Sequence, residues 1–297
     1  MNIALPRYTP YASGQHKLSV GLQPADPHHW FEPDHQWAEQ MANKAVLLRF
    51  RHDAVVAALP GSGPAQEELL GRMWDHLPLA FPGRYQLEPE GMRLRDLHPG
   101  GINDNALSAI DRAGRLVQED VSLLELRKGA YVLTAASLAA PSGWHLHEKL
   151  GQPLLGIHAP VPGYEAELGH RVQRIFEGLR SDQVLWRANF VLVTEPTLFM
   201  PGGHAAAKER GDGITPDNAG SRLWLRVERQ TLTRLERTGA VVFTIKTLID
   251  PLASLTGQRA LCHGLRGALE SMAPGMQAYK SFSGYKTALF AWLDQQQ

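Results

Sequence analysis

The chain has a single cysteine, Cys262, in 297 residues. An intramolecular disulfide and a cysteine-held iron–sulfur cluster within one chain are therefore excluded, and cytoplasm is the expected compartment. Neither charge sign is in excess, with 30 Lys+Arg against 30 Asp+Glu. This balance gives no bulk attraction to nucleic acid or to anionic lipid. No apolar run reaches the roughly eighteen residues of a membrane span. The N-terminus MNIALPRYTPYASGQHKL lacks the apolar core of a signal peptide. There is no GxGxxG, no GxxxxGK[ST] and no GxSxG, and His147-Glu148-Lys149 lacks the second histidine of HExxH. Dinucleotide-binding, P-loop, α/β-hydrolase and zinc-protease chemistries thus lose their usual sequence signatures.

What is present is a soft-ligand stretch, SGWHLHEKLGQPLLGIHAPVPGY, from Ser142 to Tyr164. It sets His145, His147 and His158 among apolar residues, aromatics and a Pro-x-Pro turn. With thiolates nearly absent, imidazole is the main soft ligand that the chain can offer.

Hydrophobic spacing sets the expected elements. Residues 1–33, rich in Pro, His and aromatics, read as an ordered arm lying over the body rather than as core. Asp34 with Trp37, Met41 and Val46 predicts a helical stretch, continuous or broken, to Leu59, where Pro60-Gly61-Ser62-Gly63-Pro64 stops it. Ala65–Leu77 predicts a second helix, and Met92–Leu94 a short strand. Leu116, Val117, Val121 and Leu124 share a helical face. Ala130–Ala140 reads as a buried strand, and Ala166–Leu179 as an amphipathic helix. Val184–Val193, Leu223–Gln230, Thr231–Leu235 and Ala240–Ile249 read as strands, with Thr238-Gly239 as a hairpin turn. Met200–Ser221 is Gly-rich and reads as a loop. Helices return from Ala253 and over Tyr285–Leu293. Helices early, strands in the middle and helices late give α+β with a mostly antiparallel sheet.

The flanking prolines predict a stiff, extended frame for His158. Two roles fit those residue types: a core histidine bonded to a backbone carbonyl, or an axial ligand to haem iron. His145 and His147 share a face if the segment is extended and diverge if it is helical. They suit ligands, distal donors or solvated groups, and Trp144 suits a pocket wall or core. Arg226 and Arg229 differ in parity, so an unbroken strand sends them to opposite faces. Whichever meets a pocket, with Lys246, could hold carboxylates; the plain alternative is a solvated sheet face. Glu119, Asp120 and Glu195 are candidates for a cationic substrate, or else capping acids. His28, His29 and His35 match no zinc spacing and read as surface residues.

Four blocks in order carry a resemblance: QEDVSLLE (118–125), PSGWHLHEKLGQPLLGIHAPVPGY (141–164), WRANF (186–190) and RVERQTLTRLERTGAVVFTIKT (226–247). Together the sequence resembles the haem-dependent oxidative N-demethylase family, of the dimethylamine monooxygenase haem-subunit type. The resemblance implies one PAS-like domain over 1–297, an antiparallel sheet with helices around haem b, the arm at 1–33 and C-terminal helices at 251–297. It implies O₂-dependent oxidation of a small methylated amine with release of formaldehyde. NADPH, FMN and a 2Fe-2S cluster would belong to separate reductase subunits, and neither nucleic acid nor membrane is a partner. It implies His158 as axial ligand ahead of His147 and His145. Arg226, Arg229 and Lys246 become candidate propionate partners, Trp144 a pocket residue, and Glu195 and Tyr131 candidate substrate-side residues. The 201–220 loop is a candidate lid. The competing expectation is a non-catalytic haem-binding PAS-like sensor or carrier.

Overall fold

The strand-rich second half of the chain builds the centre of the molecule. A computed structural model describes residues 5–16, 19–202 and 211–296. β7 (Val184–Val193), β8 (Trp224–Arg234) and β9 (Val241–Pro251) pair antiparallel in succession. β9 then pairs with β5 (Asp120–Arg127), which pairs with β6 (Ala130–Ser137). The edges are β1 (Gln23–Ala25) beside β7 and β2 (Val56–Ala58) beside β6, so the order is β1-β7-β8-β9-β5-β6-β2. A separate hairpin joins β3 (Tyr85–Glu88) and β4 (Gly91–Leu94). The fold is α+β, a large antiparallel sheet with flanking helices.

Thr238-Gly239 is the expected turn between β8 and β9. Leu235 N donates to Ala240 O (2.8 Å) and Gly239 N to Leu235 O (3.1 Å). Gly239 takes φ +69°, where a side chain is strained. β8 is one continuous strand rather than the two expected.

Three readings change. The helical face expected over Leu116–Leu124 ends at Leu116: the helix is Ala109–Leu116, and Val121 and Leu124 lie in β5. β5 is a central strand buried on both faces, so its apolar run shows no alternation to mark it as β. Asp120 ties down its start by accepting from Ala139 N (2.7 Å) and Ala140 N (3.0 Å). The helix starting at Trp37 ends at Phe50; after a turn at His52–Val55 the chain enters strand β2. The arm is also more than a cover, since it supplies strand β1 and the fully buried Trp30 and Phe31. The expected 201–220 lid falls partly on 203–210, outside the described residues.

One sheet face packs Val121, Leu123, Ala135 and Val242 against helices Trp37–Phe50, Gly63–Ala80 and Ala109–Leu116. Lys44 crosses this layer and donates to the carbonyls of Gly114 (3.0 Å), Val117 (2.7 Å) and Glu119 (2.9 Å). Helices Arg259–Glu270 and Lys286–Gln295 close a second apolar cluster with Leu225, Val227 and Phe190.

The contact between the Ala109–Leu116 helix and β6 is close enough to reverse an ordinary rule. Glycine to alanine inside a helix normally gains about 1 kcal/mol. At Gly114 a Cβ would meet Ser137 Oγ at 2.0 Å and Ser137 Cβ at 2.5 Å, and overpacking of this kind costs about 1–3 kcal/mol. We predict that Gly114→Ala lowers unfolding free energy in urea melts, and that adding Ser137→Gly recovers part of the loss. A stabilised single variant would show that the helix shifts freely on the sheet.

Candidate functional site

The other sheet face carries the site. Strand register places Arg187 (β7), Gln230 (β8) and Ile245 (β9) side by side, with Leu232 and Phe243 one step along. These residues, with Ser122, Leu124 and Leu133, floor a cavity of about 570 Å³. That lies within the range of about 300–1,000 Å³ typical of ligand and cofactor sites. The roof comes from the chain between β6 and β7: Leu154, Ile157, His158, Tyr164, Leu168, Val172, Ile175 and Phe176. Arm residues around His16 and Ser19–Leu22 close one end, and Met276, Tyr279 and Lys280 another.

His158 ends a short helix, Leu154–His158, rather than sitting in an extended segment. Pro153 supplies the extended N-cap, and the helix stops before Pro160 and Pro162, as proline's missing N–H requires. The helical turn brings His158 Nδ1 to 2.9 Å from Leu154 O. A carbonyl only accepts, so Nδ1 carries the proton and Nε2 holds the ring's lone pair. The ring stacks on Tyr164, with centroids 4.2 Å apart and planes 8° apart. Burial, reinforced by the Arg187 and Lys149 charges, pushes the His158 pKa down to about 4. The imidazole is therefore neutral near pH 7. A backbone-anchored, neutral ring is the state in which histidine ligates a metal.

Basic groups surround this apolar space. Arg187 donates through Nε to Gln230 Oε1 (2.8 Å) and through Nη1 to Val20 O (3.2 Å) and Ser19 O (3.5 Å). Lys149 Nζ donates to Ile157 O (2.7 Å), and Lys280 Nζ to Phe190 O (2.6 Å) and Asn189 Oδ1 (3.3 Å). Tyr164 Oη is buried with no hydrogen-bond partner among the described residues, and burial raises its pKa to about 12. No Asp or Glu is among the described lining residues.

Of the residues singled out from the sequence, the structure brings His158 and Trp144 into the cavity wall. The others lie elsewhere. His145 caps the Leu146–Lys149 helix in a box with Glu148, and His147 Nε2 sits 2.5 Å from Asp53 O; both rings are exposed and outside the lining. The helix makes them diverge.

Arg229 and Lys246, directly paired across β8 and β9, point from the opposite face. Arg229 Nε meets Glu32 at 3.1 Å and Lys246 Nζ meets Asp34 at 3.2 Å, so both cations clamp the arm. Arg226 has the cavity face's parity but is spent on Ala140 O (2.6 Å), Leu198 O (3.0 Å) and Thr197 O (3.2 Å). Glu119 accepts from Glu32 N (2.8 Å), and Asp120 caps the chain after β6. Glu195 is exposed beyond the end of β7, outside the lining. Tyr131 is buried against Phe176, its hydroxyl donating to Phe176 O (3.2 Å) and accepting from Arg234 Nη2 (2.9 Å).

Sequence reasoning missed Arg187, Lys149, Lys280 and Tyr164. For Arg187 a signal existed, as the one ionisable side chain in the strand VLWRANFVLV.

Among the described residues no group of three or more His, Cys, Asp or Glu is arranged to hold a bare metal ion. A single neutral imidazole therefore suits a ligand that brings its own coordination plane. The neutral His158, the apolar walls, the nearby cations and the partnerless Tyr164 hydroxyl together fit an iron porphyrin. No described helix is long and apolar enough to cross a membrane.

This is an α+β protein whose sheet floors a large apolar cavity beside one imidazole. A family model described as haem-dependent oxidative N-demethylase, alpha subunit-like, matches residues 21–290, and the chain belongs to that family.

The depressed pKa of His158 has a consequence for the haem-free chain. The folded imidazole binds its proton more weakly than the unfolded one, whose pKa is near 6.5. Stability should therefore fall as pH drops from 6.5 towards 4. The loss is of the order of 2 kcal/mol from His158, less than the full shift because the ring borders the cavity. His76, also held near 4 by burial, adds to it. Urea melts across this range should show a shallower decline in His158→Gln; an unchanged slope would mean that the ring is solvated.

Proposed function

We propose that this chain is the haem-bearing component of an oxidative N-demethylase, with His158 as the residue that would hold the iron of haem b. The observation that carries the reading is the His158 imidazole, kept neutral by burial, anchored through Nδ1 to Leu154 O and bordering a 570 Å³ apolar cavity. Belonging to the family supports it further. On this reading the chain is one PAS-like domain, with the arm and the C-terminal helices as walls of the haem chamber.

Haem bound here would supply O₂ activation and the oxidising equivalent that the side chains lack. The protein's residues do the rest. Leu154 O fixes the tautomer and orientation of His158, and Tyr164 holds the ring flat from one side. Arg187 and Lys149, the cations whose charges reach His158, would hold the propionates, in place of Arg226, Arg229 and Lys246. Leu124, Leu133, Leu232, Phe243 and Ile245 exclude water from the floor.

The overall conversion balances as R–NH–CH₃ + O₂ + 2 e⁻ + 2 H⁺ → R–NH₂ + HCHO + H₂O. The two electrons must come from outside, because one cysteine cannot hold a 2Fe-2S cluster and no dinucleotide motif is present. We assign NADPH, FMN and the cluster to separate reductase subunits. The lone cysteine also supports a reducing compartment such as the cytoplasm.

The decisive experiment is an absorption spectrum of the purified chain after haem reconstitution, beside His158→Ala. We expect a Soret band in the parent and its loss or displacement in the variant, with far-UV circular dichroism unchanged. Identical spectra would remove His158 from the iron. Release of formaldehyde from N-methyl compounds with an artificial electron donor then separates the demethylase from a haem sensor or carrier; a haem-loaded chain that releases none across a panel favours the sensor.

A further inference from the structure

The cavity's cations are not evenly placed about the imidazole, although Arg187 reaches both His158 and Lys280. Arg187 and Lys149 act on His158, whereas Lys280 does not figure among the charges that shift it. Lys280 sits instead on the C-terminal wall with Tyr279 and Met276, close enough to His16 for its charge to lower that ring's pKa after burial itself. Its ammonium is almost fully buried, with 8% of the residue exposed. Its hydrogen-bond partners are neutral oxygens, Phe190 O (2.6 Å) and Asn189 Oδ1 (3.3 Å), and no described carboxylate forms an ion pair with it. The carboxylate that acts on it from a distance, Glu228, lies on the same strand face outside the lining. Glu228 is engaged by Gln230 Nε2 (3.1 Å) and lies 3.7 Å from Arg226 Nε.

A buried ammonium ordinarily has a carboxylate beside it, because the cost of desolvating the charge is large. Here burial depresses the Lys280 pKa to about 8, a cost that Glu228 offsets only in part from a distance and that the Arg187 charge adds to. The cavity would repel a bare alkylammonium, which finds no described acid on its walls and meets a fixed cation instead.

We propose that Lys280, with Asn189 beside it, recognises a carboxylate on the substrate, so that the methyl group removed belongs to an N-methyl amino acid rather than to a simple alkylamine. The reacting group in this inference rests on the demethylase reading; the recognition of a carboxylate does not. The substrate amine would meet neutral acceptors such as Asn189 Oδ1, and its carboxylate would supply the counter-ion that Lys280 lacks.

The test is calorimetric titration of the full chain, with and without haem, using N-methylglycine and dimethylammonium chloride as probes. N-methylglycine should bind and dimethylammonium should bind at least about tenfold more weakly, since a charged hydrogen bond contributes about ten- to hundredfold in affinity. Lys280→Gln should weaken N-methylglycine by that ten- to hundredfold while leaving haem uptake, read from the Soret titration, unchanged. Lys280→Arg should retain binding. Should Lys280→Gln fail to fold, Asn189→Asp places an acid against the ammonium and should move the preference towards dimethylammonium.

Dimethylammonium binding as tightly as N-methylglycine in the parent overturns the proposal. So does an N-methylglycine affinity unmoved by Lys280→Gln or by Asn189→Asp. Loss of haem uptake in Lys280→Gln would make Lys280 a cofactor anchor and overturn it too. A chain that takes up no haem yet binds N-methylglycine through Lys280 would sink the oxidative reading alone and leave the carboxylate site standing.

Discussion

The period-two alternation of strand β8 divides the buried charge of this protein between two faces, and most of the structure is arranged around that division. Arg229 and, across the pair, Lys246 point to one face. Like charges directly opposite each other destabilise a sheet unless something neutralises them. The arm does this: Glu32 meets Arg229 at 3.1 Å and Asp34 meets Lys246 at 3.2 Å. Glu32 N is held by Glu119 and Asp34 N by Gln118, so the arm is fastened to the sheet at side chain and backbone together. The QED run at 118–120 thus spends its polar groups on building the molecule.

The other face floors the cavity. Gln230, one position further along β8, faces the cavity, and Arg187 reaches it across the pair. Cations on this face are bonded to carbonyl and amide oxygens but not to lining acids, in contrast to the clamp behind them. The same low-polarity surroundings keep His158 neutral, because burial disfavours the charged form of an imidazole as it does that of the lysines.

Burial alone does not orient the ring. Pro153 starts a helix one turn long, and that turn aligns Nδ1 with Leu154 O. Stacking on Tyr164 then restricts ring rotation. Both devices lie within the eleven residues from Leu154 to Tyr164, so the candidate ligand is oriented locally and the sheet need only supply the chamber it faces.

Much of this was legible in the residues. β-branched and aromatic runs mark β7, β8 and β9, Gly239 marks the hairpin, and the resemblance of the blocks 118–125, 141–164, 186–190 and 226–247 points to the family. His158 stands out by its apolar, proline-rich frame. The rest was not legible, for identifiable reasons. Central strand β5 is buried on both faces and lacks the alternation that marks a strand. His145 and His147 look like ligands by composition, but one helical turn sends both to the surface. Parity shows that Arg226 and Arg229 must part company, yet which face holds the cavity depends on where the helices pack. Arg187, Lys149 and Lys280 come from three distant segments, and no spacing along the chain announces that they share a chamber. Sequence alone therefore determined most of the central strands, the antiparallel class and the proline-bounded frame of the His158 imidazole, because these follow from local periodicity and backbone restriction. Tertiary structure alone decided which cations surround that imidazole and which clamp the arm, because only packing assigns a face of the sheet to water, to protein or to a ligand.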